Sequence, residues 1–149
     1  MILLPDTNVW VDLMRPSGDR SDLDHLKHLA GDAEIVLSAL CRHELENGVI
    51  GRKCADQKRR ALDVLLAMPF GHVDFDFAAA VEASQINAHA RKIGKGLSAT
   101  DAMIAGHAAS LGAALLTGDA RIVEALPDDV ATLHWVAPSQ VARKGSARP

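Results

Sequence analysis

The chain contains no tyrosine, three phenylalanines and two tryptophans. With so few aromatics, Leu, Val, Ile and Ala must fill the core. Only two cysteines occur, Cys41 and Cys54, and neither has metal-ligand spacing. They read as free thiols of a reducing cytosol. The histidines His25, His28, His43, His72, His89, His107 and His134 show no zinc spacing either. No charge sign dominates: 16 Lys and Arg stand against 19 Asp and Glu, a net charge of −3. That balance argues against a general nucleic-acid coat protein. It leaves room for an enzyme that meets nucleic acid at a local patch.

Long hydrophobic runs are also missing. The N-terminal apolar run, Ile2 to Leu4, meets Pro5 and Asp6 at once, so no signal peptide is expected. Residues 102–118 carry no Asp, Glu, Lys or Arg, but they fall short of the roughly 20 residues a membrane span needs. They read as a buried helix, a turn and a buried strand. A soluble cytoplasmic protein without a membrane partner is the expectation. No phosphate-binding Walker loop, nucleophile elbow, internal repeat or low-complexity linker is present.

What is present is one domain's worth of alternating elements. At 149 residues and 48% hydrophobic composition, the chain can bury a full core. Strands are expected at residues 2–4, 34–37, 72–75, 114–117 and 132–136. Helices are expected at 8–14, 21–30, from Ser38 to about 50, from Asp56 or Gln57 to just before Pro69, 77–93, and from Ser98 to 111. Pro16 and Gly18 end the first helix. Gly31, Gly51, Gly94 and Gly112 end others. Ser38, Asp76 and Ser98 are natural caps. Residues 143–149 read as a flexible tail behind a single domain over residues 1–142. Strands separated by helices predict an α/β architecture with a mainly parallel sheet.

In such sheets, sites form outside the carboxyl ends of the strands. The opening stretch "ILLPDTNVWVDL" drives a buried strand into Asp6, Thr7 and Asn8. Glu44 sits in the helix after the second strand, within "SALCRHELENG". There Cys41, Leu45, Gly48 and Val49 form the inward stripe, and Glu44 lies nearer it than Glu46 does. Asp101 begins a helix that is apolar nearly all round, in "LSATDAMIAGHA". A carboxylate leading a buried helix must be paired, capped or metal-bound. Asp119 follows a strand in "LLTGDAR". Each acid alone has an ordinary reading, as a cap, a turn or a solvated surface group. Together, four carboxylates at one sheet edge form a set that hard divalent cations take. Ions held there activate water and neutralise charge on a phosphodiester, without a covalent nucleophile. His25 and His28 read as surface residues, and His43 as ordinary helix packing near Glu44. The basic segments at 51–60 and 89–95 read as solvated faces that could hold a phosphate backbone if they flank the acids.

This combination of strand-end motifs resembles a PIN-domain ribonuclease, specifically a VapC-type toxin of a toxin–antitoxin pair, over residues 2 to about 136. The resemblance implies a three-layer α/β/α PIN-like fold and Mg²⁺- or Mn²⁺-dependent endonucleolytic cleavage of RNA. It also implies a small cognate antitoxin and a homodimer. Carried over, Asp6, Glu44, Asp101 and Asp119 are the catalytic acids. Asp6 and Asp101 are metal ligands, Glu44 and Asp119 are further candidates, and Thr7 and Asn8 support them. Many relatives carry an aromatic and another acid just after the last motif, where Ala120, Arg121 and Ile122 stand here. The Leu-rich faces of the helices after Ser21 and Gln57 exceed what one small core is expected to absorb, which also suggests a dimer. Two rival readings are a haloacid-dehalogenase-like phosphatase and a non-catalytic, Mg²⁺-binding receiver-like signalling or interaction module. Asn8 stands where the phosphatase pattern has a second Asp, and the receiver's paired acids are missing.

Overall fold

Alternation within very short apolar runs decides which side of the sheet each residue serves. The structure, a computed structural model, describes residues 1–16 and 20–146. In chain order the elements are β1 (Ile2–Pro5), α1 (Thr7–Leu13), α2 (Ser21–Ala30), β2 (Glu34–Ser38), α3 (Ala39–Val49), α4 (Ala55–Leu66) and β3 (Gly71–Val73). They continue with α5 (Phe77–Lys92), α6 (Ala99–Ser110), β4 (Ala114–Thr117), α7 (Ala120–Ala125), β5 (Thr132–His134) and α8 (Pro138–Ser146). The strands form one five-stranded sheet in the order β3-β2-β1-β4-β5. Every pairing is parallel. This is the expected α/β architecture.

Strand β1 sends Leu3 to one face and Leu4 to the other. Leu3 packs with Ala114, Leu116, Leu26, Ala30 and Trp135. Leu4 packs with Leu115, Val36, Cys41, Leu62, Leu65, Ile86 and Ile104. Helices therefore cover both faces, as a parallel sheet requires. Leu26 of α2 and Leu62 and Leu65 of α4 are buried within the single chain. Surplus leucine therefore gives no ground for a dimer: the two faces of the sheet absorb both helices.

Helix starts follow the expected caps. Ser38 Oγ accepts from Leu40 N at 3.1 Å, Asp76 Oδ1 from Ala79 N at 2.9 Å, and Ser98 Oγ from Asp101 N at 3.0 Å. Differences from expectation have local causes. Strand β3 stops at Val73, because its partner β2 ends at Ser38, opposite Val73, where α3 is capped. Strand β5 stops at His134, because β4 ends at Thr117, opposite it. Helices α7 and α8 were not anticipated. The first is six residues long, too short to display a period. The second opens on Pro138, a residue suited to the first helical position. Helix α8 takes in residues 143–146 of the segment expected as a tail; residues 147–149 of that segment and Gly18 lie outside the described ones. Gly48 was placed on the inward stripe of α3 but is exposed, and His25 is partly buried against Trp135, with ring centroids 5.3 Å apart. Among the described residues no helix is long and apolar enough to cross a membrane.

Helix α6 is set in place by its close contact with α5. A Cβ added to Gly106 would lie 2.3 Å from the backbone nitrogen of Ala83. Glycine is therefore required for the helices to approach this closely. Gly106→Ala should push them apart and cost about 1–3 kcal/mol, read as a lower urea midpoint at unchanged slope. An unchanged midpoint would show that the pair tolerates separation.

Candidate active site

Strand order reverses between β1 and β4, since β2 and β3 lie to one side of β1 and β4 and β5 to the other. Ligands of open parallel sheets bind in the crevice outside such a switch point. Asp6 stands there. Its backbone N donates to Leu116 O across the gap at 2.9 Å. Its side chain caps α1, Oδ1 accepting from Val9 N at 3.2 Å. Oδ2 accepts a short hydrogen bond from the Thr117 hydroxyl. The same Thr117 oxygen accepts from Asp119 N at 3.1 Å. One hydroxyl at the end of β4 thus ties Asp6 to Asp119.

The other two acids arrive from helices. Glu44 lies in α3, and its Oε2 accepts a short hydrogen bond from the Thr7 hydroxyl. Asp101 lies in the first turn of α6, close enough for its charge to bear on Asp6. Among the described residues no hydrogen bond reaches the Asp101 carboxylate, so Ser98 performs the capping and Asp101 does not reciprocate it. Glu46 is committed elsewhere, to Arg42 at 2.9 Å and Arg59 at 2.5 Å. The expected supporting roles divide: Thr7 holds Glu44, while Asn8 is exposed on the rim. His43 faces solvent beside Asn47, 3.0 Å away, and plays no part in the cluster.

Asp119 differs from its companions. Its Oδ1 accepts from the backbone N of Arg121 at 3.0 Å and from Arg121 Nε at 3.1 Å, while Oδ2 takes Arg121 Nη2 at 2.7 Å. Both oxygens are thereby engaged, and the Arg121 guanidinium holds its carboxyl below the usual range. Asp6 is shifted the other way. Burial, with 4% of its surface exposed, raises it, and Asp101's charge adds to that. Bonds from Thr117, Val9 and Asn8 oppose the shift. Cys41 beside them is pushed up to about 12, chiefly by burial. It is a neutral thiol at physiological pH and no nucleophile.

Two residues that sequence reading passed over hold this arrangement. Thr117 is fully buried. The signal for it was present in "LLTGD", where a hydroxyl ends an otherwise aliphatic strand. His107, also buried, shares a hydrogen bond with Ser38 Oγ at 2.9 Å, linking α6 to the start of α3. Burial lowers its pKa, so it is neutral at physiological pH.

Among the described residues, no three His, Cys, Asp or Glu side chains are disposed to hold a metal ion. The donor chemistry nonetheless suits a hard cation. Asp6 is a buried carboxylate whose polar neighbours are hydroxyl, amide and another acid. Glu44 and Asp101 add oxygen donors. A depression of about 500 Å³ opens beside Asp119, lined in part by Asn8, His134, Gln140 and Lys144. A larger apolar groove, about 850 Å³, runs from Glu44 between α1, α3 and α4, with Arg15, Lys53, Lys58 and Arg60 on its walls.

Residues 3–125 match the PIN domain, and the chain belongs to the PIN-domain family. Its fold is similar to that of a chain in VapBC2 from Rickettsia felis bound to a DNA fragment from their promoter. There the identity is 24% and the TM-score 0.80, covering 91% of this chain and 100% of that one. It is similar to a chain of FitAcB from Neisseria gonorrhoeae at 28% identity and TM-score 0.73, covering 89% and 96%. It also resembles Mycobacterium tuberculosis VapC20, a sarcin-ricin loop cleaving toxin, at 13% identity and TM-score 0.56, covering 76% and 86%. No curated protein sequence matches the chain.

The raised Asp6 sets a pH dependence with a definite sign. The folded state binds a proton more tightly than the unfolded chain, so metal-free stability falls as pH rises through the ordinary value of 3.8 towards the raised one. Asn caps a helix as well as Asp does. Asp6→Asn should therefore melt about 3 °C above the parent at pH 7 without metal. The gap should close below pH 3.8. A gap independent of pH in thermal scans would contradict this origin.

Proposed function

We propose that this chain is a metal-dependent endoribonuclease and the toxin of a toxin–antitoxin pair. The carrying observation is Asp6, a buried carboxylate at the switch point, in a chain of the PIN-domain family. Asp6 and Asp101 would hold Mg²⁺ or Mn²⁺, with Glu44 and Asp119 as further candidates. A bound ion supplies an activated water and neutralises charge on the phosphodiester. The protein's own residues supply orientation. Thr117 fixes Asp6, Thr7 fixes Glu44, and the contact between α5 and α6 sets Asp101. Pure protein should cleave RNA internally with Mg²⁺ or Mn²⁺. EDTA, Asp6→Asn or Asp101→Asn should each lower the rate at least 100-fold, an effect of about 3 kcal/mol on the barrier. Full activity in EDTA would overturn the metal mechanism.

The partner we propose is a small antitoxin. Chains of this fold occur in VapBC-5 of Mycobacterium tuberculosis, a member of the VapBC family of toxin–antitoxin systems, and in a toxin–antitoxin complex from Klebsiella pneumoniae, and the apolar groove beginning at Glu44 offers such a partner a place. Its basic walls favour an amphipathic helix with acidic flanks. A cation on that helix would complement the anionic site. Expression of the chain alone should arrest growth, and co-expression of the small reading frame beside its gene should restore it. Unimpaired growth at confirmed soluble expression would tell against the toxin role.

A homodimer belongs to the same reading, now on a different surface from the leucines. Phe77 is 93% exposed and Val81, one turn on, is 56% exposed. These neighbours on α5 form an apolar face that a second copy would cover. Sedimentation at micromolar concentration should show a dimer that Phe77→Asp converts to monomer. A monomeric parent protein would refute this assembly.

A further inference from the structure

Four cations of this chain pair with carboxylates outside the strand-end cluster. Arg42 and Arg59 bind Glu46, Arg15 binds Asp12, and Lys95 binds Glu124. Among the ion pairs of the described residues, Arg121–Asp119 is the one whose carboxylate belongs to the strand-end cluster. Its two halves are unequal. The Arg121 side chain is 87% exposed, and that of Asp119 is 20% exposed. The guanidinium therefore stands on the solvent side of the cluster, with Asp101 also within its electrostatic reach. Asp6 lies behind, buried. A polyanion approaching Asp119 from solvent meets this guanidinium.

A capping role does not account for the contact. The backbone N–H of Arg121 already satisfies Asp119 Oδ1 as the cap of α7. The side chain adds a bidentate fork on top. That fork fits a phosphate as well as a carboxylate. An ion pair this exposed is weakly held and exchanges at little cost. Exchange would also free Asp119 Oδ2 at the moment the substrate arrives, while Oδ1 keeps its bond from the Arg121 backbone N.

We propose that Arg121 is the residue that receives the RNA backbone: resting on Asp119 in the free protein, its guanidinium moves to non-bridging oxygens of the phosphate beside the acids. The inference rests on the RNA-cleaving reading above and names the residue through which substrate engages that site.

The test measures binding without turnover. In an Asp6→Asn background, a 5′-fluorescein RNA oligonucleotide spanning a site cut by the parent enzyme is titrated by anisotropy between about 50 and 200 mM salt. Arg121→Ala should weaken binding about tenfold, as loss of a charge-assisted contact does. It should also make the slope of log affinity against log salt shallower by about 0.7, the value for one phosphate contact on a single strand. Arg121→Lys should keep the slope, since the charge is kept, and lose part of the affinity with the fork. Arg59→Ala changes net charge equally and should leave both quantities at parent values. If Arg121→Ala matches the parent, or Arg59→Ala matches Arg121→Ala, the proposal is overturned. If the parent cleaves no RNA with either metal, the reading of the site falls and this inference with it. Cleavage accompanied by an unmoved slope would remove the inference alone.

Discussion

Asp6 and Asp119 at the sheet's carboxyl edge both depend on the Thr117 hydroxyl between β4 and β1. It donates to Asp6 and accepts from the backbone of Asp119, so two acids from distant parts of the chain share one oxygen. The constraint is strict because the hydroxyl is fully buried, and a buried polar group left without partners is costly. Valine would match its shape but strip a buried carboxylate of a donor. Asp6 adds its own bonds to Leu116 and Val9. The register of β1 on β4 and the position of the acids are thereby a single fact.

Holding acids this way has an electrostatic cost, and the structure distributes it. Asp6 carries the burden of burial, and hydrogen bonds from Thr117, Val9 and Asn8 offset part of it. Asp119 is relieved by Arg121. Cys41 and His107, both buried near the acid-bearing helices, are neutral at physiological pH and add no charge. The result is an edge with unbalanced negative potential in a chain whose overall charge is close to even.

The sequence made the sheet, its parallel sense and the acids legible because each depends on local signals. Ile2, Leu3 and Leu4 stop at Pro5, and Ser38, Asp76 and Ser98 sit where helices must be capped. Helices α7 and α8 escaped because their evidence is either too short or non-local. Asp119 could be read as a turn residue as easily as a cap. In the sequence Glu44 is separated from Glu46 by angle alone; in the structure Arg42 and Arg59 engage Glu46, while Thr7 donates to Glu44. Gly48, with no side chain to bury, misled the same reasoning. That Thr117 meets Asp6, 111 residues away, depends on which strands are neighbours, which no local pattern contains.

Helix α8 is secured to the rest by carboxylates more than by packing. Of its residues only Ser139 is buried. The Ser139 backbone N and hydroxyl donate to Asp22 at 2.9 and 2.6 Å, and Gln140 donates to Asp12 at 2.7 Å. These bonds span 117 and 128 residues of sequence, so they form only after the sheet has brought the chain's ends together. They also bury little apolar surface, which places α8 among the segments that open locally without global unfolding. Such an opening would separate Gln140 and Lys144 from Asn8 and Asp119, taking apart one wall of the depression they line. The breadth of that depression is thus governed by an equilibrium separate from the one that keeps the protein folded.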